Sequence, residues 1–193
     1  MAPGTKAMFN VRIRVFLDRK AIHMLLRIRA VAAVAVAVTG GALAVSAAPA
    51  VASVSQGYIT GSGDWRDDWG DEGPVSASTR SHNNVVGAWQ TILWADGYLT
   101  QADVDCRFGS ATTAATKEWQ SDRGLVSDGV VGAQTLAKAA TKLDVYEQEG
   151  WYWYDGAGSN FIYFGRHADG KWDMSLPSGE TRLLSYTSAS ICS

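Results

Sequence analysis

Asp105-Cys106-Arg107-Phe108-Gly109-Ser110-Ala111-Thr112 and Asp128-Gly129-Val130-Val131-Gly132-Ala133-Gln134-Thr135 are two copies of one pattern, Asp-x-x-Phe/Val-Gly-x-x-Thr. A Trp-Gln pair precedes each copy, Trp89-Gln90 and Trp119-Gln120, and a glycine follows each pair, as Gly97-Tyr98 and Gly124-Leu125. Each copy therefore runs helix, glycine stop, apolar plug, then a loop into the next helix. The chemistry of the loop is legible. Aspartate accepts backbone N–H bonds in the turn, glycine supplies positive φ, and threonine falls in the first turn of the following helix. Phe108 and Val131 are expected to pin the two loops to a core.

Outward from the repeat, the hydrophobic period is helical from Asn83 to Leu143. Val86, Trp89 and Leu93 recur at i, i+3 and i+7, with Asn83 or Asn84 as cap and Gly97 as stop. Ala111, Ala114, Ala115 and Trp119 mark a second helix, ended by Gly124, and Leu136, Ala139, Ala140 and Leu143 a third. Three short helices imply an orthogonal bundle with its tryptophans mostly in the core. After Leu143 the period becomes two. Trp151-Tyr152-Trp153-Tyr154, Phe161-Ile162-Tyr163-Phe164, Trp172 to Leu176 and Leu183 to Tyr186 read as a meander of four short antiparallel strands separated by Asp-Gly and Ser-Gly turns. The expected class is α+β, with a helical segment over 79–143 and an aromatic meander over 144–193.

Val85–Leu136 resembles the type 1 peptidoglycan-binding domain, a three-helix module attached to many bacterial wall hydrolases. The residues that carry the likeness are Ala88-Trp89-Gln90, Asp96-Gly97-Tyr98, Asp105 to Gly109, Trp119-Gln120 and Gly124 to Gly132. The family usually has glycine where Cys106 stands, which suggests a first loop stapled by a disulfide. The resemblance implies peptidoglycan as partner, through stem peptide or glycan. Asp105, Phe108, Gly109, Thr112, Asp128, Gly129, Gly132 and Thr135 are accounted for by the loop structure itself. Trp94, Tyr98, Arg107 and Gln120 are the candidate ligand contacts, because a peptide-sugar polymer needs flat apolar faces beside hydrogen-bonding groups.

Met24-Leu25-Leu26-Arg27-Ile28-Arg29, the apolar run Ala30 to Val38 and the small-residue ending Ala50-Val51-Ala52 have the order of a secretory leader. The mature chain is then expected to start at Ser53, leaving no stable membrane anchor: the run is Ala/Val-rich, is broken by Thr39-Gly40-Gly41, and falls short of a strongly apolar span. Residues 1–52 hold seven of the 17 Lys/Arg and one of the 19 Asp/Glu, so the remaining 141 residues carry ten basic and 18 acidic groups, a net charge near −8. That balance excludes a basic nucleic-acid footprint, and it means that attachment to an anionic wall needs a shaped site. Residues 53–78, rich in Gly, Ser and Asp, read as an acidic solvated linker, with Trp65 and Trp69 able to fold back.

Cys106 and Cys192, the two cysteines of the chain, read as one disulfide in an oxidising exterior. No metal site or cofactor is expected: His82 and His167 are the histidines after residue 52, and no His-Glu-x-x-His or similar cluster occurs. A catalytic cysteine would need a positioned histidine. A two-carboxylate glycosidase has Glu118, Glu147, Glu149 and Glu180 to draw on, but only about 50 residues follow the helices, too few for its usual cleft. The expectation is a non-enzymatic, monomeric, secreted and wall-associated protein. The alternatives are a small peptidoglycan hydrolase, or a sugar-binding module acting through an aromatic platform of Trp151, Trp153, Tyr163 and Trp172.

Overall fold

Asn83 opens the first helix, α1 (Asn84–Ala95), because its side chain accepts the Val86 N–H at 3.0 Å and satisfies one of the amides a helix start leaves free. The computed structural model describes residues 54–146, 149–157 and 160–192, so the expected leader and its cleavage point lie outside the described residues. α1 stops where Gly97 adopts φ 85°, and Tyr98 N–H then closes back on Leu93 O at 2.8 Å. α2 (Ser110–Asp122) ends the same way, with Gly124 at φ 68° and Leu125 N–H on Gln120 O at 2.9 Å. α3 spans Ala133–Ala140. Trp89 and Trp119, one from each copy of the repeat, meet edge to face at 4.9 Å in the middle of the helices.

Leu143 does not belong to α3. It begins β1 (Leu143–Val145), a strand too short to alternate visibly in sequence. β1 is followed by β2 (Trp151–Asp155), β3 (Phe161–Arg166), β4 (Trp172–Ser175) and β5 (Thr181–Leu183). They form one antiparallel sheet in chain order, five strands where the sequence suggested four. Past β5, Leu184 N–H still bonds Trp172 O of β4 at 2.8 Å, but its carbonyl turns to the segment before the helices: Ile59 N–H bonds Leu184 O at 2.9 Å and Tyr186 N–H bonds Gly57 O at 2.9 Å.

That segment is the main departure from the sequence reading. Residues 54–78 are not a solvated linker: Ile59, Trp69 and Val75 are fully buried, and so are Asp68 and Glu72. Trp69 packs edge-on against Phe164 and Trp172, and Trp65 lies 4.5 Å from Tyr152, so the segment covers the sheet face that bears Tyr152, Phe164 and Trp172. Two of its five carboxylates are consumed inside, while Asp64, Asp67 and Asp71 stay exposed. Asp68 takes the Arg166 guanidinium at 2.6 Å and Trp172 Nε1 at 2.8 Å, and Glu72 accepts the Tyr186 hydroxyl at 2.6 Å. Truncating Trp69 to Ala would cost roughly 3–5 kcal/mol. Trp172, offered above as part of an exposed platform, is likewise core.

Further on, the same segment pairs with both repeat loops. Val75 and Val131 exchange two backbone hydrogen bonds at 3.0 Å, and Phe108 N–H bonds Ser81 O at 2.7 Å. Gly73 is required for the first of these approaches: a Cβ there would sit 2.6 Å from Val131 O.

Candidate functional site

Each loop of the repeat is organised by a buried glutamine from the preceding helix. Gln90 Nε2 lies 2.8 Å from Asp105 Oδ1, 3.0 Å from Arg107 O and 3.0 Å from Thr112 Oγ1, while its Oε1 accepts Asp105 N–H at 3.1 Å and Cys106 N–H at 2.8 Å. Gln120 repeats this with Asp128 Oδ1, Val130 O and Thr135 Oγ1 at 3.1, 2.9 and 3.0 Å, and its Oε1 accepts Gly129 N–H at 2.9 Å. Asp105 and Asp128 also accept the N–H two residues on, from Arg107 and Val130. Phe108 and Val131 are buried beneath.

The conformational roles inside the loop differ from the simplest reading of the motif. Gly109 and Gly132 are extended residues at the starts of α2 and α3, with φ −92° and −108°. The left-handed positions are Gly129, at φ 75°, and its counterpart Cys106, at φ 60°. A cysteine thus stands where a non-glycine residue is disfavoured. It is held there by the disulfide Cys106–Cys192, which joins the first loop to the short 3-10 helix Ser190–Cys192 at the other end of the chain. Gly87 of α1 makes room for the bridge: a Cβ on it would lie 2.5 Å from Cys106 Sγ and 3.2 Å from Cys192 Sγ.

A second fixed point ties helices to sheet. Asp96, at the end of α1 and buried, accepts from Arg123 Nη2 at 2.7 Å, Trp119 Nε1 at 2.8 Å and the Tyr154 hydroxyl at 2.6 Å, and also pairs with Lys142. Burial, then the Asp96 charge, drives the Tyr154 hydroxyl's pKa far upward, so it acts as a permanent donor. Asn84 makes a similar link at the other end of α1, donating to Leu183 O and accepting Ile191 N–H.

The four candidate contact residues do not form one cluster. Gln120 is buried with both amide hydrogens and its carbonyl committed to the second loop, so it is a loop-holding residue and not a wall contact. Tyr98 is half-buried, its hydroxyl donating to Asp122 Oδ2 at 2.6 Å and accepting from Arg123 at 3.0 Å. Desolvation, and next the Asp122 carboxylate, raises its pKa. Trp94 is half-buried on α1. Arg107 is exposed at the opposite end of α2 from Asp122, roughly 18 Å along the helix axis. Trp94 and Tyr98 therefore belong to the region where α1 ends, and Arg107 to the first loop.

At that loop, desolvation pushes the Asp105 carboxyl upward, but hydrogen bonds from Gln90 and from the backbone of Arg107 outweigh it, and its pKa lies below the ordinary value. Sequence reasoning named neither Gln90 nor Asp96 for a role. The signal for Gln90 was present, since the Trp-Gln pair recurs ahead of each Asp-x-x-Phe/Val-Gly loop. Asp96 showed only as part of the Asp96-Gly97-Tyr98 motif, with nothing to indicate its job, because its partners are scattered over 119–154. Among the described residues no three His, Cys, Asp or Glu side chains are grouped to hold a metal ion, and no helix is long and apolar enough to cross a membrane.

Residues 82–138 match the model of the family described as "Putative peptidoglycan binding domain". This segment is a domain of that family. The match covers 57 of the 193 residues, so it takes in α1, α2, both loops and α3 as far as Lys138, while the sheet and the segment before residue 82 lie outside it. No curated protein and no solved structure matches the chain. In this peptidoglycan-binding domain Cys106 replaces the residue that Gly129 represents in the second loop, and the bridge to Cys192 makes the added C-terminal part covalently continuous with it.

Proposed function

We propose that this is an exported, non-catalytic protein that holds peptidoglycan through its helical domain. The observation that carries the reading is the family match over 82–138, in a segment whose two glutamine-held loops are both complete. Trp94 and Tyr98, with Arg123 beside Tyr98, offer aromatic faces next to fixed polar groups, and Arg107 offers a cation for a stem-peptide carboxylate. Export is supported by the leader-like order of Met24 to Ala52 and by the disulfide, which persists in oxidising compartments. The test is co-sedimentation of the intact protein with purified sacculi, alongside a zymogram. Binding without a clearing zone is expected. Absence of binding defeats the first half of the proposal, and a clearing zone that depends on this chain defeats the second.

A further inference from the structure

The sheet has two faces, and the one turned away from the buried core is aromatic where an outward face is ordinarily polar. Tyr152, Tyr154, Ile162 and Phe164 are buried, and the residues alternating with them point the other way. Register places Trp153 beside Tyr163, Trp151 beside Gly165 and Phe161 beside Asp155. Tyr146, just past β1, meets Tyr163 edge-on at 5.2 Å, and Trp153 lies 5.1 Å from Phe161. Tyr146 and Tyr163 are each 37% exposed, and Trp151, Trp153 and Phe161 are half-buried, so five neighbouring rings keep part of their surface in water. Neighbouring apolar surface rimmed by polar residues is the form an interaction surface takes.

A polar edge adjoins the rings. Asp173 of β4, on the same face, is buried; its Oδ1 accepts Gly165 N–H at 3.0 Å and its Oδ2 lies 2.9 Å from His167 Nε2. Gly165 makes this possible, since a Cβ there would come within 2.3 Å of Asp173 Oδ1 and 3.5 Å of the Trp151 ring. His167 and Asp173 border two adjoining hollows, one of about 480 Å³ running to Lys171, Thr181 and Leu183, the other of about 90 Å³ running to Trp151. The charges here do not suit a polyanion. Lys171 is paired with Asp169 and Arg166 with Asp68, while Asp144 and Asp155 add negative charge across the strands.

We propose that this outer face is a second polymer-binding surface, taking an uncharged pyranose glycan with sugar rings stacked on Trp151, Trp153 and Tyr163 and hydroxyls bonded to the exposed His167 imidazole, which buried Asp173 holds in place. Flat rings suit the C–H faces of pyranoses, and an exposed imidazole suits their hydroxyls. The surface uses none of the residues assigned to the helical domain, so the two proposals stand or fall separately.

The test is calorimetric and fluorescence titration of the intact protein with a β-1,4-linked N-acetylglucosamine hexasaccharide. Saturable binding is expected. Trp153→Ala and Tyr163→Ala should each weaken it at least about tenfold, with Trp153→Phe intermediate and Val126→Ala, at an exposed position on neither surface, without effect. Urea midpoints of these variants identify any that fail to fold, and Trp153→Phe keeps the test open if Trp153→Ala does. No response at millimolar sugar overturns the proposal, as does binding that survives Trp153→Ala and Tyr163→Ala but not Tyr98→Ala. Self-association abolished by the same sheet variants, without a sugar response, would overturn it by assigning the face to contacts between copies of the chain.

Discussion

Replacing Gln90 by Leu removes the hydrogen-bonding centre of the first loop while filling most of the same space, so the loss comes from stranded partners and not from a cavity. Gln90 is 1% exposed, and Cys106, whose N–H it accepts at 2.8 Å, is completely buried. That donor is left without a partner, at about 1–3 kcal/mol. The Asp105 N–H is closer to solvent and contributes less, and the Arg107 carbonyl retains the Thr112 hydroxyl at 3.5 Å as a partial substitute. Adding the weakened Asp105 N–H and the loss of one of the Asp105 carboxylate's hydrogen bonds (it keeps the Arg107 N–H) gives a destabilisation of about 2–4 kcal/mol. The assay is urea unfolding of the oxidised protein followed by tryptophan fluorescence, with the slope compared between variants. Gln120→Leu should cost less, since its carbonyl accepts a single N–H, that of Gly129. A Gln90→Leu midpoint equivalent to under about 1 kcal/mol, with the slope unchanged, would refute the view that this amide organises the loop.

Other substitutions probe the remaining joints. Gly87→Ala forces a methyl against Cys106 Sγ, and should either destabilise the protein by about 1–3 kcal/mol or leave free thiols on titration of the unreduced, unfolded chain. Asp96→Asn strips the shared counter-charge from Arg123 and Lys142, and a loss of about 3–5 kcal/mol is expected by the same unfolding assay. Asp105 has a folded-state pKa below its unfolded value, so its contribution is present above about pH 4 and is lost as pH falls through the folded pKa. Asp105→Asn should flatten the acid limb of a stability-against-pH curve, and an unchanged limb would show that the carboxylate is not differentially held.

The helices were legible because their boundaries are written locally. Asn83 caps, Gly97 and Gly124 stop, and the duplicated loop motif fixes where α2 and α3 begin. The resemblance to the peptidoglycan-binding family rested on those same residues, and the Cys106–Cys192 pairing followed from there being two cysteines. What failed to show was long-range. Asp68 and Glu72 looked like solvated acids in a polar stretch because their partners, Arg166, Trp172 and Tyr186, lie about a hundred residues away. β1 was hidden because a three-residue strand beside a helix end has no period of its own. Gln120 was mistaken for a surface contact because a polar residue in a helix reads as exposed unless its loop partners are recognised first.

The most direct measurement is the affinity of the intact protein for purified sacculi as ionic strength rises from about 0.05 M to about 0.5 M, where the Debye length shrinks from above 10 Å to below 5 Å. Residues 53–193 carry a net charge near −8, so long-range forces oppose approach to an anionic wall and salt relieves them. Binding through a shaped aromatic and hydrogen-bonding site should hold steady or tighten across that range, and Tyr98→Ala or Trp94→Ala should weaken it with the helices intact by circular dichroism. Binding that vanishes by about 0.5 M salt, or that is carried wholly by residues 144–193, would show that the helical domain is not what holds the wall.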